Sequence, residues 1–523
     1  MSVPTWNPPT ETTAQEDRLL SRLQRTKKLF AFLRLNRRRI FDDGVQAELS
    51  AMYRQTGEGR QPVAPALLAM ALLLQAYCGA SDAEAVELTV VDARWQLVLG
   101  RVGETRPAFS QGALQAFRQR LIEHDLDRRL LERTAELAKT SGGFDHKKLP
   151  KTLRLAVDSR PLEGAGRVED TINLIARAAR YLLRDAAEMT GQNPDEVAQE
   201  IAARSFLATS IKKGLDADWT SREAKKQALK RLLLEVEAIE LWVEGELANA
   251  LDEPPLASHI ETLRRLRSQD LEPDPSCPGS RIKQGVAPDR QVSIADPAMR
   301  HGRKTKSKTF NGYKSHIAVD LDSDVIWACA ITPANRPETE AMAAIQADLG
   351  ERGASEWHID RGYISADEIR ESHGEGVAIV ARPWRQHREG RASKDAFRFN
   401  FRLRVVTCPA GETARFELGA VAHFDATACG NCDIKRFCTA STNGRSLNVL
   451  ADEPLQLQLR RAAATPEGRE RLRERVNVEH RLAHHAQKQG RKARYLGLRN
   501  NLFDARRHAA VLNLEVAHAR LAA

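Results

Sequence analysis

Apolar side chains recur at helical spacing through most of the first 141 residues of the chain. The run 67–74 is apolar on every side, which is typical of a short helix at the centre of a bundle. Ser110 is a good N-cap for a later helix in which Leu114, Phe117 and Leu121 share one face. The pattern therefore predicts a helical N-terminal region.

Strand-like runs begin near residue 153 and alternate with helical runs as far as residue 381. The predicted strands are 153–157, 313–321, 325–331, 357–359 and 377–381, and the helices between them are 337–349 and 365–372. Early antiparallel strands followed by parallel crossovers predict a mixed α/β sheet of the ribonuclease-H-like arrangement. Pro161 is expected to stop the first strand from continuing in a central position.

Two of these strands end in a carboxylate. Asp158 follows the first strand, Asp360 follows the run 357–359, and Gly362 lets the chain turn away. Most single acids of this kind lie on the surface. A carboxylate at the mouth of a sheet, however, is costly unless it is paired or holds a metal ion. We therefore expect both acids to belong to one site.

A third acid, Glu479, is predicted to lie on the buried face of a helix over residues 470–489. Val476 and Ala483 mark that face at helical spacing, and Glu479 falls in the same stripe. Arg475 is one turn earlier and close enough to orient the glutamate. The three acids together are the candidate site.

Three convergent carboxylates can hold two divalent cations about 4 Å apart for an in-line displacement at phosphorus. Hard oxygen ligands favour Mg²⁺ or Mn²⁺ over zinc. Such a site needs no separate general base. The chain has no Walker-type glycine loop, so no ATP requirement is expected.

Composition narrows the kind of partner and the compartment. The 523 residues include 80 Lys and Arg against 70 Asp and Glu, a net charge of +10, which fits a polyanionic partner. There is no apolar run of about 18 residues, so no membrane contact is expected. Seven cysteines and no secretory signal predict a soluble protein of a reducing compartment, the cytoplasm, where a DNA-binding protein would associate with the nucleoid.

Basic side chains cluster in two places that could contact DNA. The candidates are Arg118 and Arg120 on the helix after Ser110, and Arg303, Lys304, Lys306, Lys308 and Lys314 around residues 300–314. The second cluster would bind phosphates without reading sequence. A solvated loop and an ordinary surface helix are the alternative interpretations of these two charge runs.

Four cysteines lie within a short segment that breaks the strand–helix rhythm. Cys429, Cys432 and Cys438 follow Cys408 in a C-x2-C-x5-C arrangement. Four thiolates could complete a structural zinc site with no position left open for water. Free thiols in an irregular insertion are the alternative.

These features divide the chain into five parts. We expect a flexible arm (1–16), a helical DNA-binding domain (17–145), a catalytic core (150–167, 290–382 and 456–523), a helical insertion with its linker (168–289), and a cysteine-rich insertion (383–455).

Several motifs resemble those of the DDE-type transposases of bacterial insertion sequences. The similar segments are 109–121, Ala156-Val157-Asp158-Ser159, 295–297 through 311–316, 332–338, Asp360-Arg361-Gly362-Tyr363, the cysteine cluster, Arg475-x3-Glu479 and Arg494-Tyr495-x-Gly497. The branch that they resemble has a helical N-terminal domain and a cysteine-bearing insertion before the glutamate helix.

This resemblance implies that Asp158, Asp360 and Glu479 are a catalytic triad holding two Mg²⁺ or Mn²⁺ ions. It also implies cleavage and strand transfer of double-stranded DNA at terminal inverted repeats and a target, by a homodimer on the DNA. Arg475 and Arg494 would then orient the glutamate or contact DNA.

The chain departs from the related tyrosine–arginine–glutamate–lysine signature. Leu472 and Ala486 stand where the tyrosine and lysine would be, so Lys488 is the candidate substitute, and Asn500 stands where a lysine is expected. Two alternatives to a transposase therefore stay open: a ribonuclease-H-like nuclease without strand transfer, and an inactive DNA-binding copy.

Overall fold

The computed structural model describes residues 3–23, 28–53, 61–140, 152–276, 278–305, 307–384 and 391–522. Lys306 and the linker around 146–150 lie outside these ranges.

The N-terminal region is helical, as predicted. Its helices are α1 (Ala14–Arg22), α2 (Lys28–Ile40), α3 (Asp43–Ala51), α4 (Pro65–Cys78), α5 (Asp82–Val91), α6 (Ala93–Leu99), α7 (Gln111–Glu123) and α8 (Leu126–Thr140). Helix α4 is buried almost throughout, because it carries no polar face. Helix α7 starts at the Ser110 cap and buries Leu114, Phe117 and Leu121, which confirms the predicted face.

The segment before α1 packs on these helices, contrary to the flexible arm that the sequence predicts. Trp6 is buried against Phe41, and its indole Nε1 donates a hydrogen bond to the carbonyl of Leu99 at 3.3 Å. The Trp6 amide donates to Gln46 Oε1 at 2.7 Å. A single buried tryptophan among prolines gives no periodic pattern, so the sequence does not reveal it.

Strand β1 (Leu153–Glu163) is followed by a second helical unit. It contains α9 (Thr171–Thr190), α10 (Pro194–Glu200), α11 (Ile211–Leu215), α12 (Arg222–Glu246), α13 (Leu256–Asp270) and a hairpin of β2 (Leu271–Pro273) and β3 (Ser280–Ile282). Leu182, Leu232 and Leu263 belong to the apolar core of this unit, which is separate from the main core of the protein.

The central sheet combines β1 with five later strands. These are β4 (Arg300–Arg303), β5 (Thr309–Asp320), β6 (Val325–Pro333), β7 (Ala354–Ile359) and β8 (Ala378–Ala381), with α14 (Ala341–Leu349) before β7 and α15 (Asp367–Gly374) before β8. The order is β4–β5–β1–β7–β8, with β6 also pairing with β5. Strand β1 is antiparallel to β5 and parallel to β7, which confirms a mixed α/β sheet.

Strand β1 continues past Pro161, but not in a central position, as predicted. The strand continues to Glu163, and Pro161 pairs with Lys314 of β5. The parallel pairing with β7 stops at Val157. Beyond that point β1 has a strand on one side only, which is the setting in which a strand tolerates proline.

The cysteine-bearing segment folds as a small unit of short elements. It contains β9 (Arg398–Asn400), β10 (Val405–Thr407), β11 (Thr413–Arg415), β12 (Val421–His423), α16 (Ala426–Gly430), α17 (Lys435–Cys438) and β13 (Ser446–Asn448). Phe397, Phe416 and Phe424 form its apolar core.

Four helices complete the chain: α18 (Glu453–Ala464), α19 (Pro466–Glu474), α20 (Val476–Gln489) and α21 (Leu498–Ala522). The predicted single helix over 470–489 is therefore broken at Arg475. Val478, Leu482 and His485 are the buried positions of α20, whereas Val476 is 46% exposed. The predicted buried stripe is wrong, because Val476, Glu479 and Ala483 lie on a face of α20 that is exposed.

Helix α21 joins the N-terminal helices to the sheet through buried charges. Arg506 Nη1 donates to Asp125 at 2.6 Å and to Asp127 at 3.0 Å, and its Nη2 donates to Asp348 of α14 at 2.7 Å. The side chains of Arg506, Asp127 and Asp348 are almost fully buried. Separation of the two parts would leave these charges uncompensated.

We expect Arg506→Ala to lower the free energy of unfolding by about 3–5 kcal/mol, because removing one partner leaves buried carboxylates unpaired. Urea unfolding followed by tryptophan fluorescence would measure the change. Arg128→Ala is the matched control, since Arg128 also crosses this interface, to Ala347, but is 37% exposed. It should cost at most about 1 kcal/mol. Equal losses in both variants would contradict the role given to Arg506.

Candidate active site

Asp158 and Asp360 lie side by side because of the strand register. Val157 of β1 pairs with Ile359 of β7, so the residues that follow them reach the same edge of the sheet. Helix α20 packs against β1 and β5 and brings Glu479 to that edge. All three acids line one cavity of about 580 Å³.

Glu479 faces this open cavity rather than the apolar core. Its side chain is 54% exposed. Glu479 follows Val478, and one residue is about 100° of turn around a helix, so the glutamate points away from the buried face of Val478 and Leu482. Glu479 and Ala483 line the cavity together, because both lie on the exposed face of α20 rather than on a buried stripe.

Arg475 lies between two of the acids. Its Nη2 donates to Glu479 Oε1 at 3.2 Å, and its Nη1 is 3.9 Å from Asp158 Oδ1. Nη1 is buried and has no hydrogen-bond partner within the described chain. The positive charge of the guanidinium therefore partly compensates both carboxylates. From this position Arg475 could also orient Glu479.

The electrostatics of the site are centred on Asp158. Burial raises the pKa of its carboxyl, the positive charge of Arg475 opposes this shift, and the negative charges of Asp360 and Glu479 add to it. The amide of Ser159 donates to Asp158 Oδ1 at 2.8 Å. A further positive charge in the cavity would therefore favour the ionised carboxylate.

A buried hydrogen-bonded layer supports the loop that carries Asp360. The hydroxyl of Tyr363 is 2.7 Å from Nδ1 of His316, whose Nε2 is 3.0 Å from the hydroxyl of Thr332. Burial lowers the pKa of His316 to about 3, so the ring is neutral. Tyr363 and His316 belong to motifs that carry the family resemblance, but their positioning role was not predicted.

The oxygen atoms of the three acids are suitable ligands for divalent cations, although their spacing in this structure does not enclose one. Within the described ranges, no three His, Cys, Asp or Glu side chains converge closely enough to enclose a metal ion. The carboxylates nevertheless share one cavity, and their hard oxygens are the ligands that Mg²⁺ and Mn²⁺ prefer. Asp158, Asp360 and Glu479 are the residues that would hold such ions.

The four cysteines do not form a tetrahedral site as placed. Cys438 is buried in the core of its unit, and Cys429 Sγ accepts a hydrogen bond from the Arg445 amide at 3.4 Å. Burial raises the pKa of Cys429, and the nearby Cys408 and Cys432 add to the shift.

The basic cluster of β4 and β5 contributes directly to the acidic cavity. Arg303, Lys304 and Lys314 line it together with the three acids. Lys308 is exposed in the adjoining turn and does not line the cavity. The cavity therefore combines carboxylates with cations that suit phosphate groups.

The other predicted DNA contacts are engaged elsewhere. Arg118 forms a 2.8 Å ion pair with Asp82 and also donates to the Tyr495 hydroxyl, and Arg120 stacks on Tyr53. DNA contact through either would require these interactions to break.

Arg494 and Lys488 also lie outside the cavity. Arg494 donates to the carbonyl of Ala80 at 2.8 Å, and Lys488 pairs with Glu515 at 2.6 Å. Ala486, which stands where the signature would have a lysine, lines the cavity. Lys488 does not replace that lysine in this arrangement, because its ammonium group points toward α21.

The fold and cavity define a carboxylate site on a mixed sheet, suited to a polyanionic substrate. Residues 407–518 match the family model described as Transposase DDE domain, and residues 20–120 match the Transposase domain (DUF772). No curated protein and no solved structure matches the chain. The resemblance to DDE-type insertion-sequence transposases is confirmed, and it implies in general terms a metal-dependent enzyme acting on DNA. Asp158 and Asp360 lie outside both matched segments.

In the part of the chain that the structure describes, no single helix is long and apolar enough to cross a membrane. Helices α4 and α5 pass that test only as a pair, bent by 102°. Nearly all of α4 is packed within the protein.

We expect Asp158→Asn to raise the thermal unfolding midpoint at neutral pH in the presence of a chelator. The raised pKa of Asp158 means that the folded protein binds its proton more tightly than the unfolded chain does. Stability from this group is therefore present at low pH and lost as the pH rises through the folded-state pKa. The variant's advantage should disappear as the pH is lowered, and an advantage independent of pH would contradict this cause.

Proposed function

We propose that this protein is a DNA transposase that binds the terminal inverted repeats of its insertion sequence and catalyses strand cleavage and strand transfer. The observation that carries the proposal is the meeting of Asp158, Asp360 and Glu479 in one cavity beside Arg303 and Lys304. Two divalent cations, when bound, would activate the attacking oxygen and stabilise the leaving oxygen.

The chain's own residues would bind and orient the DNA. Arg303 and Lys304 would hold phosphates beside the scissile bond at one wall of the cavity, whereas Lys314 on the same wall is held by Glu338. The unpartnered Nη1 of Arg475 could donate to a phosphate oxygen when bound cations, instead of Arg475, compensate the charges of the acids. The buried Tyr363 would keep the Asp360 loop in place.

We infer that the central sheet with α20 and α21 is a ribonuclease-H-like core (150–167, 290–382 and 456–523). The unit within 168–289 and the cysteine-bearing unit within 383–455 would be insertions, since each keeps an apolar core of its own. The region 17–145 would then be the DNA-binding domain. Zinc at the four cysteines, a homodimer on DNA and nucleoid association stay predictions.

One observation favours an inactive DNA-binding copy as the second candidate. Ala486 lines the cavity without the lysine of the related signature. A nuclease that cuts without joining is the third outcome that an experiment must separate.

Cleavage and joining of a labelled duplex that carries the element's own ends tests the proposal. With Mg²⁺, the wild type should cut and join, and Asp360→Asn should lose both, because a metal ligand is removed. Asp367→Asn is the matched control, since Asp367 is 75% exposed in the first turn of α15. Cutting without joining would identify the nuclease, and salt-sensitive binding without cutting would identify the inactive copy.

DNA affinity measured over a range of salt concentrations tests which cations contact phosphate. We expect Arg303→Gln with Lys304→Gln to reduce the slope of log affinity against log salt by about 0.9 for each lost contact. Arg118→Gln should leave the slope unchanged, since its guanidinium already pairs with Asp82. A slope reduced by the Arg118 variant alone would restore α7 as the DNA-contacting helix.

A further inference from the structure

A fourth carboxylate, Glu338, lines the cavity of the three acids. It opens a single 3-10 turn (Glu338–Glu340) between β6 and α14, and so approaches the site from an element that carries none of the other acids. Glu338 is the last residue of the segment 332–338, one of those that resemble the transposase motifs.

The loop after Asp360 is shaped around this side chain. A Cβ atom on Gly362 would lie 2.9 Å from Glu338 Oε2 and 3.3 Å from Glu338 Cδ. The backbone of Gly362 is not in the left-handed region, so the space occupied by Glu338, rather than φ, accounts for the glycine. Glu338 therefore rests on the chain two residues beyond Asp360.

Lys314 fixes one oxygen of Glu338, and the other lies against the chain just after Asp360. The Lys314 ammonium donates to Glu338 Oε1 at 2.8 Å and to the Arg336 carbonyl at 2.7 Å. The second oxygen, Oε2, is the one that faces Gly362. A carboxylate that is held through one oxygen, with the other uncommitted to this lysine, is suited to bind a cation or its water.

The charges of the site agree with this placement. Burial raises the pKa of Tyr363, and the negative charges of Asp158, Glu338 and Asp360 raise it further. Three carboxylates thus act on the same buried hydroxyl from around the cavity.

We propose that Glu338 is a fourth metal-holding carboxylate, which binds a divalent cation at the Asp360 side of the cavity directly or through a bound water. Lys314 holds it in position. The inference rests on the proposed function, because it assumes that the cavity binds metal ions.

Mn²⁺ titration of the full chain, with free Mn²⁺ counted by electron paramagnetic resonance and no DNA present, tests the assignment. Glu338→Gln should lower Mn²⁺ affinity about tenfold or more, in the range typical of losing a group that supports a metal site. Glu340→Gln is the matched control in the same turn, since Glu340 is 48% exposed and does not line the cavity. Unchanged affinity in Glu338→Gln would overturn the inference.

Lys314→Gln separates metal binding from simple anchoring. If Glu338 binds the cation, Lys314→Gln should lower Mn²⁺ affinity by less than Glu338→Gln does, because the carboxylate is still present and has lost only the lysine that positions it. Equal losses in Glu338→Gln and Lys314→Gln would mean that Glu338 only holds the lysine, and would overturn the inference. Asp360→Asn reports on the proposed function separately: unchanged affinity there would reject the metal site as a whole.

Gly362→Ala provides a second test that removes no charge. Its new methyl group should push the Glu338 carboxylate aside and lower Mn²⁺ affinity in an otherwise wild-type chain. Combined with Glu338→Gln it should add nothing, since both changes act through one side chain. Additive losses would show that the alanine disturbs Asp360 instead, and would remove this support.

Discussion

Repulsion between carboxylates is the constraint that the rest of this architecture must satisfy. Asp158, Asp360 and Glu479 share one cavity, and burial already disfavours the charge on Asp158. Without a bound cation, Arg475 lies between Asp158 and Glu479, and its positive charge reduces that repulsion. Arg475 caps the start of α20, one helical turn before Glu479, and from there its guanidinium reaches both carboxylates.

The two strand-borne acids could be predicted from sequence, because a local signal coincides with a topological one. The apolar part of each strand ends at its acid, and parallel neighbours bring these positions together, although β1 itself continues to Glu163. Glu479 lines the same cavity, but the periodicity assigned it to a buried face of its helix that is in fact exposed. Glu338 belongs to a segment that carries the family resemblance, but nothing local in the sequence indicates a place in the cavity, because its neighbours in space are distant in the chain.

The predicted DNA contacts show that a cluster of basic residues in the sequence does not reveal which of them already have partners within the protein. Arg303 and Lys304 reach the acidic cavity, whereas Arg118 and Arg494 bind acceptors within the protein. All four look alike in the sequence. What separates them is a buried partner, such as Asp82 for Arg118, contributed by another helix. A charge run therefore predicts a role for the region but not for the individual side chain.

The buried contacts of Arg506 have a consequence for how the protein is made. Asp125 and Asp127 leave the ribosome early, Glu479 and Arg506 late, and the sheet lies between them in the chain. At about 5–20 residues per second, Asp158 waits some tens of seconds for its last acidic neighbour. The nascent chain therefore cannot assemble the cavity before α20 has been synthesised. A product terminated before α20 would lack Glu479 as well as helix α21, which joins the N-terminal region to the sheet.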